Sequence, residues 1–576
     1  MISGSTSERQ PGGDNIGSKI LRPGGSASLG LILIATFLVY LPSLFNDFTN
    51  WDDEIYILNN PLITHLTPGS VGNLFSTEQY MGNYHPVTLF SYAVDYAIGE
   101  LHPFIYHLDN LLLHLFCVVF LYLFLLELKL PAGVPFVVCL LFGIHPLHVE
   151  PVAWLSARKE VLYGAFFLSS LFCYIKYVGN GTKTSWYAFA FILFLLSVLS
   201  KATAVVIPAV LFLVDWYMER PLQRRIILEK IPFILVSLAA GFIAIEAQQA
   251  AKSISGNPAY GLFDRLCIGG YGLWNYLLKI LAPTNLSALY FYPSTESSHL
   301  PGQFILAFAG AIVLVGISVY LARRNRSYFF GAVFFFVTIV LVLQVIPVGR
   351  AIMADRYAYI PSAGIFIILA VASEKALSML RHKSSSFVVT LQLAAWLYCL
   401  WLGISTAERC GVWKNGITVW SDVIQNNPHD PGLYNSRGQA YLAAGNPQEA
   451  LVDFEKAIAM KPDYKHALTD RGLAHFALQQ LDSALRDFSL AIGTDSTFSL
   501  AYYDRANTYA RQTHYTLALD DYTTAIRLKP DYGEAYYNRA IVELALGDSS
   551  SACMDYQKAV KWLPNPPKTP AGTFCR

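Results

Sequence analysis

An adjacent pair of carboxylates, Asp52 and Asp53, follows the first long apolar segment of the chain, with Trp51 before it and Glu54 after it. Neighbouring carboxylates repel each other's charge, so one pKa rises unless a cation, a metal or a proton relieves the pair. A carboxylate in this position could take a proton from a reacting hydroxyl group. Which of the two aspartates is the base stays open; we favour Asp53, with Asp52 and Glu54 shaping its surroundings. The alternative is a solvated turn beside an interfacial tryptophan.

Several cations are predicted on the same side of the membrane as this pair. The set comprises Arg158, Lys159, Lys201, Arg350 and Arg356. Cations grouped in this way can hold a phosphate while a carboxylate handles a proton. The alternative is that their side chains extend along apolar surface to reach the interface.

Further polar residues lie in or beside apolar segments, where ionisable groups are candidates for function. Those that could shape the same site are His85, His107, Asn110, His114, His145, His148, Glu150 and Asp355. His145, His148 and Glu150 could ligate a metal, because imidazole and carboxylate groups suit zinc. The alternative is a hydrogen-bonded turn, so the presence of a metal stays open.

Acidic groups, cations and apolar segments together suit a substrate that joins a sugar to a lipid phosphate. Transfer of the sugar requires a carboxylate for the acceptor proton and cations for the departing phosphate. The apolar segments would hold the lipid tail. The expected donor is thus a polyprenyl-phosphate-linked sugar, with a divalent metal as an additional possibility.

These residues must be positioned by a polytopic membrane protein. The 576-residue chain is 54% hydrophobic and only 14% charged, and it contains long apolar runs. Its net charge of +1 and the lack of a basic tract argue against a nucleic-acid partner. Its eight cysteines show no metal-type spacing, although a Cys553–Cys575 disulfide is conceivable.

Eleven apolar segments are predicted to span the membrane. They lie near 29–45, 104–126, 133–149, 160–178, 185–200, 202–217, 231–247, 303–322, 327–346, 357–373 and 386–404. With the N-terminus inside, every predicted inner loop carries lysine or arginine, as the positive-inside rule requires. Segment 264–282 breaks this pattern and contains Asp264, Arg265 and three glycines, so we predict an interfacial or re-entrant helix there.

The remaining boundaries follow from composition. Residues 1–27 are rich in Gly, Ser and Pro and are predicted to be a disordered cytoplasmic tail. The membrane domain covers 28–405, and its first outer loop, 46–103, includes an amphipathic helix from His85 to Gly99. A linker with a degenerate half-repeat occupies 406–430, and a tail occupies 565–576.

A strict 34-residue period marks residues 431–564 as four tetratricopeptide repeats. Large aromatic residues on one helix recur opposite alanines on the next, so the helix pairs can nest closely. The fold class is thus all-α: a membrane helix bundle followed by an α-solenoid. Solenoids of this kind usually bind protein, so a polypeptide acceptor or partner is expected at the repeats.

Each repeat also carries an arginine at one phase and an aspartate at another. They are Arg437, Arg471, Arg505 and Arg539, with Asp453, Asp487, Asp521 and Asp555. The functional interpretation is a charged ladder that binds an acidic peptide. The structural interpretation, which we favour, is a set of Arg–Asp pairs within or between repeats.

Motifs along nearly the whole chain resemble the transmembrane and tetratricopeptide-repeat-containing O-mannosyltransferases, which are class C glycosyltransferases. The matching stretches are 48–61, 85–86, 107–114, 145–150, 200–203, 355–362 and the region of Trp413. In that class a carboxylate-bearing first outer loop faces the lipid-phosphate donor. The resemblance implies a membrane-embedded hexosyltransferase that moves a sugar, with mannose a candidate, to serine or threonine hydroxyls of proteins.

Two departures limit what the resemblance implies. The array has only four clear repeats, and the loops between spans are compact. The eight cysteines and the short loops fit a bacterial inner-membrane relative with periplasmic repeats, whereas animal members act in the endoplasmic reticulum. The alternatives are transfer to a lipid or glycan, and a membrane-anchored repeat scaffold that has no catalytic activity.

Overall fold

The computed structural model describes residues 25–76, 80, 82–131, 133–179, 183–252, 260–293, 300–322, 325–349, 351–380, 385–563 and 575. These residues belong to two compact units. Unit 1 includes Asn46 and the chain before it, together with Leu62–Gly411. Unit 2 comprises Asp47–Pro61 and the chain from Val412 onwards. The predicted first outer loop is therefore divided, because residues 47–61 belong with the repeats.

Unit 1 is a bundle of apolar helices. Its helices α1 to α15 are Gly25–Tyr40, Pro68–Ser76, Pro86–Gly99, Pro103–Glu127, Val134–Ile144, Val149–Ala153, Arg158–Gly179, Thr184–Ser200, Ile207–Tyr217, Arg224–Ala250, Leu262–Leu281, Gly302–Ala322, Arg326–Ile339, Ser362–Leu380 and Ser385–Cys410. Two short strands, β1 (Tyr290–Phe291) and β2 (Ala351–Met353), pair antiparallel. They are the only strands in the part of the chain that the structure describes, so the all-α prediction is confirmed.

Seven helices in the described ranges are long and apolar enough to cross a membrane. An eighth span results if Val134–Ile144 and Pro146–Ala153, which meet at a 55° bend, are counted together. Three shorter apolar helices, Thr184–Ser200, Ala202–Tyr217 and Arg326–Val342, coincide with the other predicted spans. A total of eleven therefore requires these three to cross as well. Helix α11 is not among the candidate spans, in keeping with an interfacial or re-entrant role.

The long helix α7 separates two polar regions of unit 1. Arg158 opens the helix, and Lys176 lies near its end, about 27 Å further along the axis. Lys176 pairs with Glu127 at 3.2 Å. At the same end, Arg220 pairs with Asp215 at 2.8 Å. Cations predicted for different inner loops thus lie at one end of α7, as alternating spans require.

Unit 2 contains the repeats. Helices α16 to α24 are Gly416–Asn426, Pro431–Ala443, Pro447–Met460, Lys465–Ala477, Leu481–Thr494, Ser499–Arg511, Tyr515–Leu528, Gly533–Ala545 and Ser549–Trp562. Glycine in the first helix of a repeat lets an aromatic ring approach closely. A Cβ at Gly438 would lie 2.5 Å from the ring of Phe454, and one at Gly472 would lie 2.6 Å from Phe488. The predicted nesting of helix pairs is confirmed.

The two terminal predictions fall mostly outside the described residues. The predicted tail 1–27 is described only from Gly25, where α1 begins, so its last three residues are helical. Of the predicted tail 565–576 only Cys575 is described, and it forms a disulfide with Cys553. The conceivable disulfide is thus present.

Candidate functional site

Unit 1 encloses a cavity of about 550 Å³. Cationic and polar residues from four separate elements line one part of it: His85, Lys159, Glu160, Lys201, Arg356 and Tyr357. Apolar residues of α10 and of the segment after α13 line the rest, among them Ala244, Ile245 and Leu341. The cavity therefore combines positive charge with an apolar wall.

Lys201 enters this cavity from a break between two helices. It ends α8 with extended backbone (φ −158°), and a 3₁₀ turn, Ala202–Val206, follows. Its Nζ lies 2.5 Å from Glu160 Oε1 and over the rings of Tyr163 and Tyr357. Burial lowers the pKa of Lys201, while the Glu160 carboxylate opposes that effect. The counter-ion that the local sequence lacks is thus supplied by α7.

Arg356 is held by an acid distant in sequence. Its backbone N–H donates to Glu150 Oε2 at 2.8 Å, and its guanidinium pairs with Glu150 Oε1. The guanidinium also lies over the rings of Trp154 and Tyr357, at 5.3 and 4.9 Å. Its side chain is 17% exposed, so one face of the cation still reaches the cavity. Glu150 is therefore an anchor for Arg356.

His85 and Lys159 are further polar residues of the lining. Burial, assisted by the charge of Lys159, lowers the pKa of His85 to about 3, so its imidazole is neutral at physiological pH. Lysine and arginine outnumber acids among the lining residues by three to one, since Glu160 is the only carboxylate there. An anion is the ligand that this balance favours.

Arg158 does not line the cavity, contrary to the prediction that it binds the donor phosphate. Its side chain is fully buried and pairs with Asp95, and with Asp109 at 3.3 Å. Its Nε donates to Asn110 Oδ1 at 2.7 Å. Burial outweighs the opposing charge of Arg158 and raises the pKa of Asp95 to about 6. Arg158 and Asn110 belong to a buried brace that joins α3, α4 and α7.

The predicted histidines lie inside unit 1, and three of them contact backbone carbonyls. His114 Nε2 lies 3.2 Å from Gly143 O, with its Nδ1 2.8 Å from the Tyr359 hydroxyl. His148 Nδ1 lies 2.7 Å from Phe142 O, with its Nε2 3.0 Å from Ser362 Oγ. His145 Nε2 lies 3.0 Å from Ile280 O, and its Nδ1 accepts from the backbone N–H of Leu147.

Each of these three rings therefore uses both nitrogens in hydrogen bonds, as orienting side chains do. His107 is also fully buried. Among the residues that the structure describes, no three His, Cys, Asp or Glu side chains are grouped to hold a metal ion. Residues 145–150 thus form the hydrogen-bonded turn that was the alternative to a metal site.

Asp355 precedes Arg356 in the sequence and does not line the cavity. It is buried, and its Oδ1 accepts a hydrogen bond from the Tyr290 hydroxyl at 2.8 Å. Burial raises the pKa of Asp355 to about 7; nearby Glu150 acts in the same direction, and Arg409 opposes both. Asp355 thus fixes the turn that presents Arg356. Arg350, the remaining predicted phosphate ligand, lies outside the described residues.

The acidic stretch 52–54 belongs to unit 2. Asp53 is fully buried, and its Oδ2 accepts hydrogen bonds from the Thr49 backbone N–H at 2.9 Å and the Thr49 hydroxyl at 2.8 Å. Asp52 is half-buried, and Glu54 is exposed. Of the adjacent pair, Asp52 is therefore the more accessible carboxylate. The preference for Asp53 as the base conflicts with its burial.

The loop that carries these acids is attached to the start of the repeats. Asn50 Nδ2 donates to Ser436 O at 2.8 Å, and Asn50 Oδ1 accepts from Trp420 Nε1 at 2.9 Å. The Trp51 ring lies 4.9 Å from that of Trp420 and stacks on Trp413 at 6.3 Å. Residues 47–61 are thus an integral part of unit 2.

The arginines of the repeats are used within their own repeats. Each donates through Nε and Nη2 to the two carboxylate oxygens of the aspartate 16 residues later, at distances of 2.5–2.9 Å. The favoured structural interpretation is confirmed, and these arginines are not available to bind an acidic peptide.

Two lining residues that contact Lys201 were not among the predicted site residues. Glu160 and Tyr357 lie next to Lys159 and Arg356 in the sequence and contact Lys201 in the structure. The available signal in the sequence was an acidic or phenolic residue next to a predicted cation. Their pairing with Lys201 joins distant segments and could not be derived from spacing.

Comparisons with known proteins agree with the fold and with the motifs. Tetratricopeptide-repeat family models match residues 432–464 and 503–568. The chain is 24% identical over 466 residues to protein O-mannosyl-transferase F38B6.6 of Caenorhabditis elegans, covering 77% of this chain and 64% of that protein. It is 24% identical over 487 residues to the mouse protein O-mannosyl-transferase TMTC3, covering 75% and 51%.

Human protein O-mannosyl-transferase TMTC2 is 32% identical over a shorter stretch of 217 residues, covering 36% of this chain and 25% of that protein. The chain thus spans about half to two thirds of the first relatives' lengths. It is homologous to protein O-mannosyl-transferases, as the motifs indicated. These relatives are animal proteins, so they give the bacterial interpretation no support.

Solved structures resemble only a limited part of the chain. A crystal structure of MamA is 21% identical and covers 25% of this chain and 85% of its own, with a TM-score of 0.24. TTC0263, a repeat protein of Thermus thermophilus, is 22% identical and covers 30% and 90%, with a TM-score of 0.25.

Proposed function

We propose that this homologue of the protein O-mannosyl-transferases is a membrane-embedded glycosyltransferase that moves a hexose from a polyprenyl phosphate to a hydroxyl group of a protein. The observation that carries the proposal is the cavity of unit 1, where three cations border an apolar wall. A lipid-linked phosphate has the same combination of charge and apolar chain. Mannose is the sugar that the relatives' names suggest.

Lys159, Lys201 and Arg356 are the proposed phosphate ligands. In an inverting transfer the acceptor oxygen forms a bond to the anomeric carbon while the bond from that carbon to the phosphate oxygen breaks. The electron pair leaves with the polyprenyl phosphate, and cations stabilise the charge that develops there. Glu150 and Glu160 keep Arg356 and Lys201 in position without neutralising every donor.

The apolar wall continues beyond the polar part of the cavity. A second cavity of about 190 Å³ shares Tyr84, Ala202 and Ala244 with the first. Its other lining residues are apolar and come from α8 and α10, including Leu195, Val198 and Val236. We assign the beginning of the lipid tail to this second cavity, because burial of hydrocarbon there is favourable.

We assign removal of the proton from the acceptor hydroxyl group to the carboxylate pair of the first loop. Asp52 is the accessible member, and Asp53 orders the loop through Thr49. This assignment rests on the motif and on the chemistry of a general base. The repeats are the proposed binding surface for the acceptor polypeptide.

The proposed location is a membrane whose far side is oxidising, with the endoplasmic reticulum as the compartment. The Cys553–Cys575 disulfide supports an oxidising environment for the end of the repeats. An odd number of spans would place the repeats on the side opposite the N-terminus.

The proposal is tested by measuring sugar transfer with the purified full chain in lipid nanodiscs. The donors are radiolabelled dolichyl-phosphate mannose and dolichyl-phosphate glucose, and the acceptor is an unfolded Ser/Thr-rich protein. We expect Lys201→Ala and Arg356→Ala to reduce kcat/KM by about 10²–10³-fold, as loss of a charge-stabilising donor does. Parallel reactions with EDTA test dependence on a divalent metal.

The matched control is Lys375→Ala, which removes an exposed lysine that lies over Tyr328 and does not line the cavity. It should retain transfer. Wild-type rates for both cavity variants, or no transfer by the wild type from either donor, would overturn the proposal. Transfer to a lipid or glycan in place of protein would retain the enzyme class but reject the acceptor.

A further inference from the structure

The first helices of successive repeats contact one another through a row of polar residues at a 34-residue spacing. In the first junction, between α17 and α19, Asp470 Oδ2 accepts hydrogen bonds from Asn435 Nδ2 at 2.9 Å and from Gln439 Nε2 at 2.7 Å. In the third junction, between α21 and α23, Asn538 Nδ2 donates to the Tyr503 hydroxyl and to Asn507 Oδ1. Both junctions satisfy their central polar group.

The middle junction, between α19 and α21, is different. Asp504 occupies the position of Asp470 and Asn538, and the residues that should donate to it are Thr469 and Leu473. Thr469 uses its hydroxyl group on Lys465 O at 2.9 Å, and leucine has no polar group. Within the described residues, no side chain donates to the Asp504 carboxylate.

This unpartnered carboxylate is nevertheless buried. Asp504 is only 6% exposed, and its Oδ2 is a buried atom without a hydrogen-bonding partner. Burying an unpaired carboxylate is costly, so such groups in native proteins usually have a partner. Burial, together with the charge of Asp470, raises the pKa of Asp504 to about 8. We therefore expect another molecule to supply the partner of the Asp504 carboxylate.

The charge around Asp504 indicates what that partner should be. The groups that face it are Asp470 of α19, Tyr503 of its own helix, Tyr522 of α22, and Tyr532 beside α23. The nearest arginine in sequence, Arg505, is occupied by both oxygens of Asp521. This surface is acidic and rich in phenols, so it suits a cation.

We propose that the face formed by the first helices of the repeats binds a polypeptide segment through a lysine or arginine side chain that pairs with Asp504. The site lies at the α19–α21 junction, next to the Asp470 and Tyr503 positions. The occupant is basic, opposite in charge to the acidic peptide that the arginine ladder suggested. The inference deepens the role proposed for the repeats, and it rests on that proposal only for the identity of the polypeptide as an acceptor.

Binding is measured without transfer, so failure of one proposal can be distinguished from failure of the other. The full chain in nanodiscs is titrated into fluorescent 12-residue Ser/Thr peptides that carry lysine, arginine, glutamine or glutamate at one central position. We expect the lysine and arginine peptides to bind about tenfold more tightly than the glutamine peptide, as a charge-assisted bond allows. The glutamate peptide should bind most weakly.

Asp504→Asn should abolish the preference for lysine over glutamine without lowering the melting temperature, because it replaces a buried carboxyl group that has no hydrogen-bonding partner. The control Asp482→Asn, an exposed aspartate of α20, makes the same change in net charge and should retain the preference. Equal binding of the lysine and glutamine peptides to the wild type would overturn the proposal. So would an unchanged preference in Asp504→Asn, or a fall in its melting temperature.

Discussion

The arginines of the repeats and the cations of the cavity hold the same charge in different ways. Arg437, like its three counterparts, donates two parallel hydrogen bonds to one aspartate of its own repeat. Such a fork engages both oxygens of the carboxylate and leaves the guanidinium little capacity for a ligand. Lys201 and Arg356 also have acidic partners, yet they line a cavity. A cationic side chain is a candidate for ligand binding when it still has hydrogen-bond donors that face a cavity after it has paired with its acid.

The same contrast exists inside the acidic pair of the first loop, and it leads to the prediction with the largest effect. We expect Asp52→Asn to reduce transfer by about 10²–10⁴-fold, the usual range for loss of a general base, with an unchanged melting temperature. Asp53→Asn should reduce transfer and also loosen residues 47–61, because it weakens the bonds to Thr49. Transfer rates and hydrogen exchange of the same samples separate the two effects. Full activity in both variants would remove the loop from the mechanism.

Breaking one of the Arg–Asp pairs of the repeats should lower stability and leave sugar transfer intact. Arg471→Ala leaves Asp487, whose side chain is 5% exposed, without its bidentate partner. We expect a loss of about 2 kcal/mol in the local unfolding free energy, below the range for fully buried pairs because Arg471 is partly exposed. Hydrogen exchange of residues 465–494 measures that loss. The exposed Arg486, which bonds Ser483, provides the control Arg486→Ala.

If Arg471→Ala lowered transfer as much as Arg356→Ala while leaving exchange unchanged, the distinction between paired and open charges would fail. Transfer should be compared per folded molecule, at a temperature where both variants retain their repeats.

The repeats could be predicted to the residue because their information is local and periodic. Glycine, alanine and aromatic positions recur every 34 residues, and the 16-residue spacing brings Arg437 to Asp453 within one helix pair. The apolar spans could be predicted for the same reason, since each is a continuous run. The predicted segments correspond to apolar helices throughout the described part of unit 1.

The cavity could be predicted only in part, because charge is visible in a sequence but its partners are not. Arg158 and Lys201 appeared equivalent as cations beside spans. Asp95, which pairs with Arg158, is 63 positions away, and Glu150, which holds Arg356, is 206 positions away. Only the packing of the helices shows that Arg158 is fully engaged by neighbouring acids, whereas Lys201 lines the cavity.

The first loop illustrates a similar limit. Asn50 and Ser436 are separated by 386 positions, so no local pattern indicates their hydrogen bond. Gly416 contributes to the fit: a Cβ there would lie 1.9 Å from Asn50 Oδ1, so only glycine leaves room for the amide. The attachment of 47–61 to the repeats is a property of tertiary packing.

That attachment can be broken directly. Asn50→Ala removes the bonds to Ser436 O and Trp420 Nε1, and we expect a local loss of about 1–2 kcal/mol. Hydrogen exchange of 47–61 should increase, while exchange of α7 in unit 1 stays constant. The exposed Asn59 gives the control Asn59→Ala. Unchanged exchange in Asn50→Ala would show that the tryptophan stack alone holds the loop.

The smallest expected effect concerns Asp504, the buried carboxyl group at the α19–α21 junction of the repeats. Its pKa is about 8 in the folded protein and near 3.9 when unfolded, so the folded state retains a proton that the unfolded state loses. Stability associated with this group is therefore present below pH 4 and declines as the pH rises from about 4 to 8. Asp504→Asn does not titrate. We subtract the melting temperature of the wild type from that of Asp504→Asn. This difference should be about 2–4 °C larger at pH 9 than at pH 5.

Differential scanning calorimetry of both proteins across this range measures the difference. Burial also raises the pKa of Glu543, to about 7. Because Glu543 titrates in both proteins, its contribution largely cancels in the difference between their melting temperatures. A basic peptide should reverse the trend, because a bound cation favours the ionised carboxylate. Binding of the lysine peptide to the wild type should then strengthen from pH 6 to 9, with release of a proton. A pH-independent difference between the two proteins would mean that Asp504 is already paired, and its carboxylate would then not be open to a basic peptide.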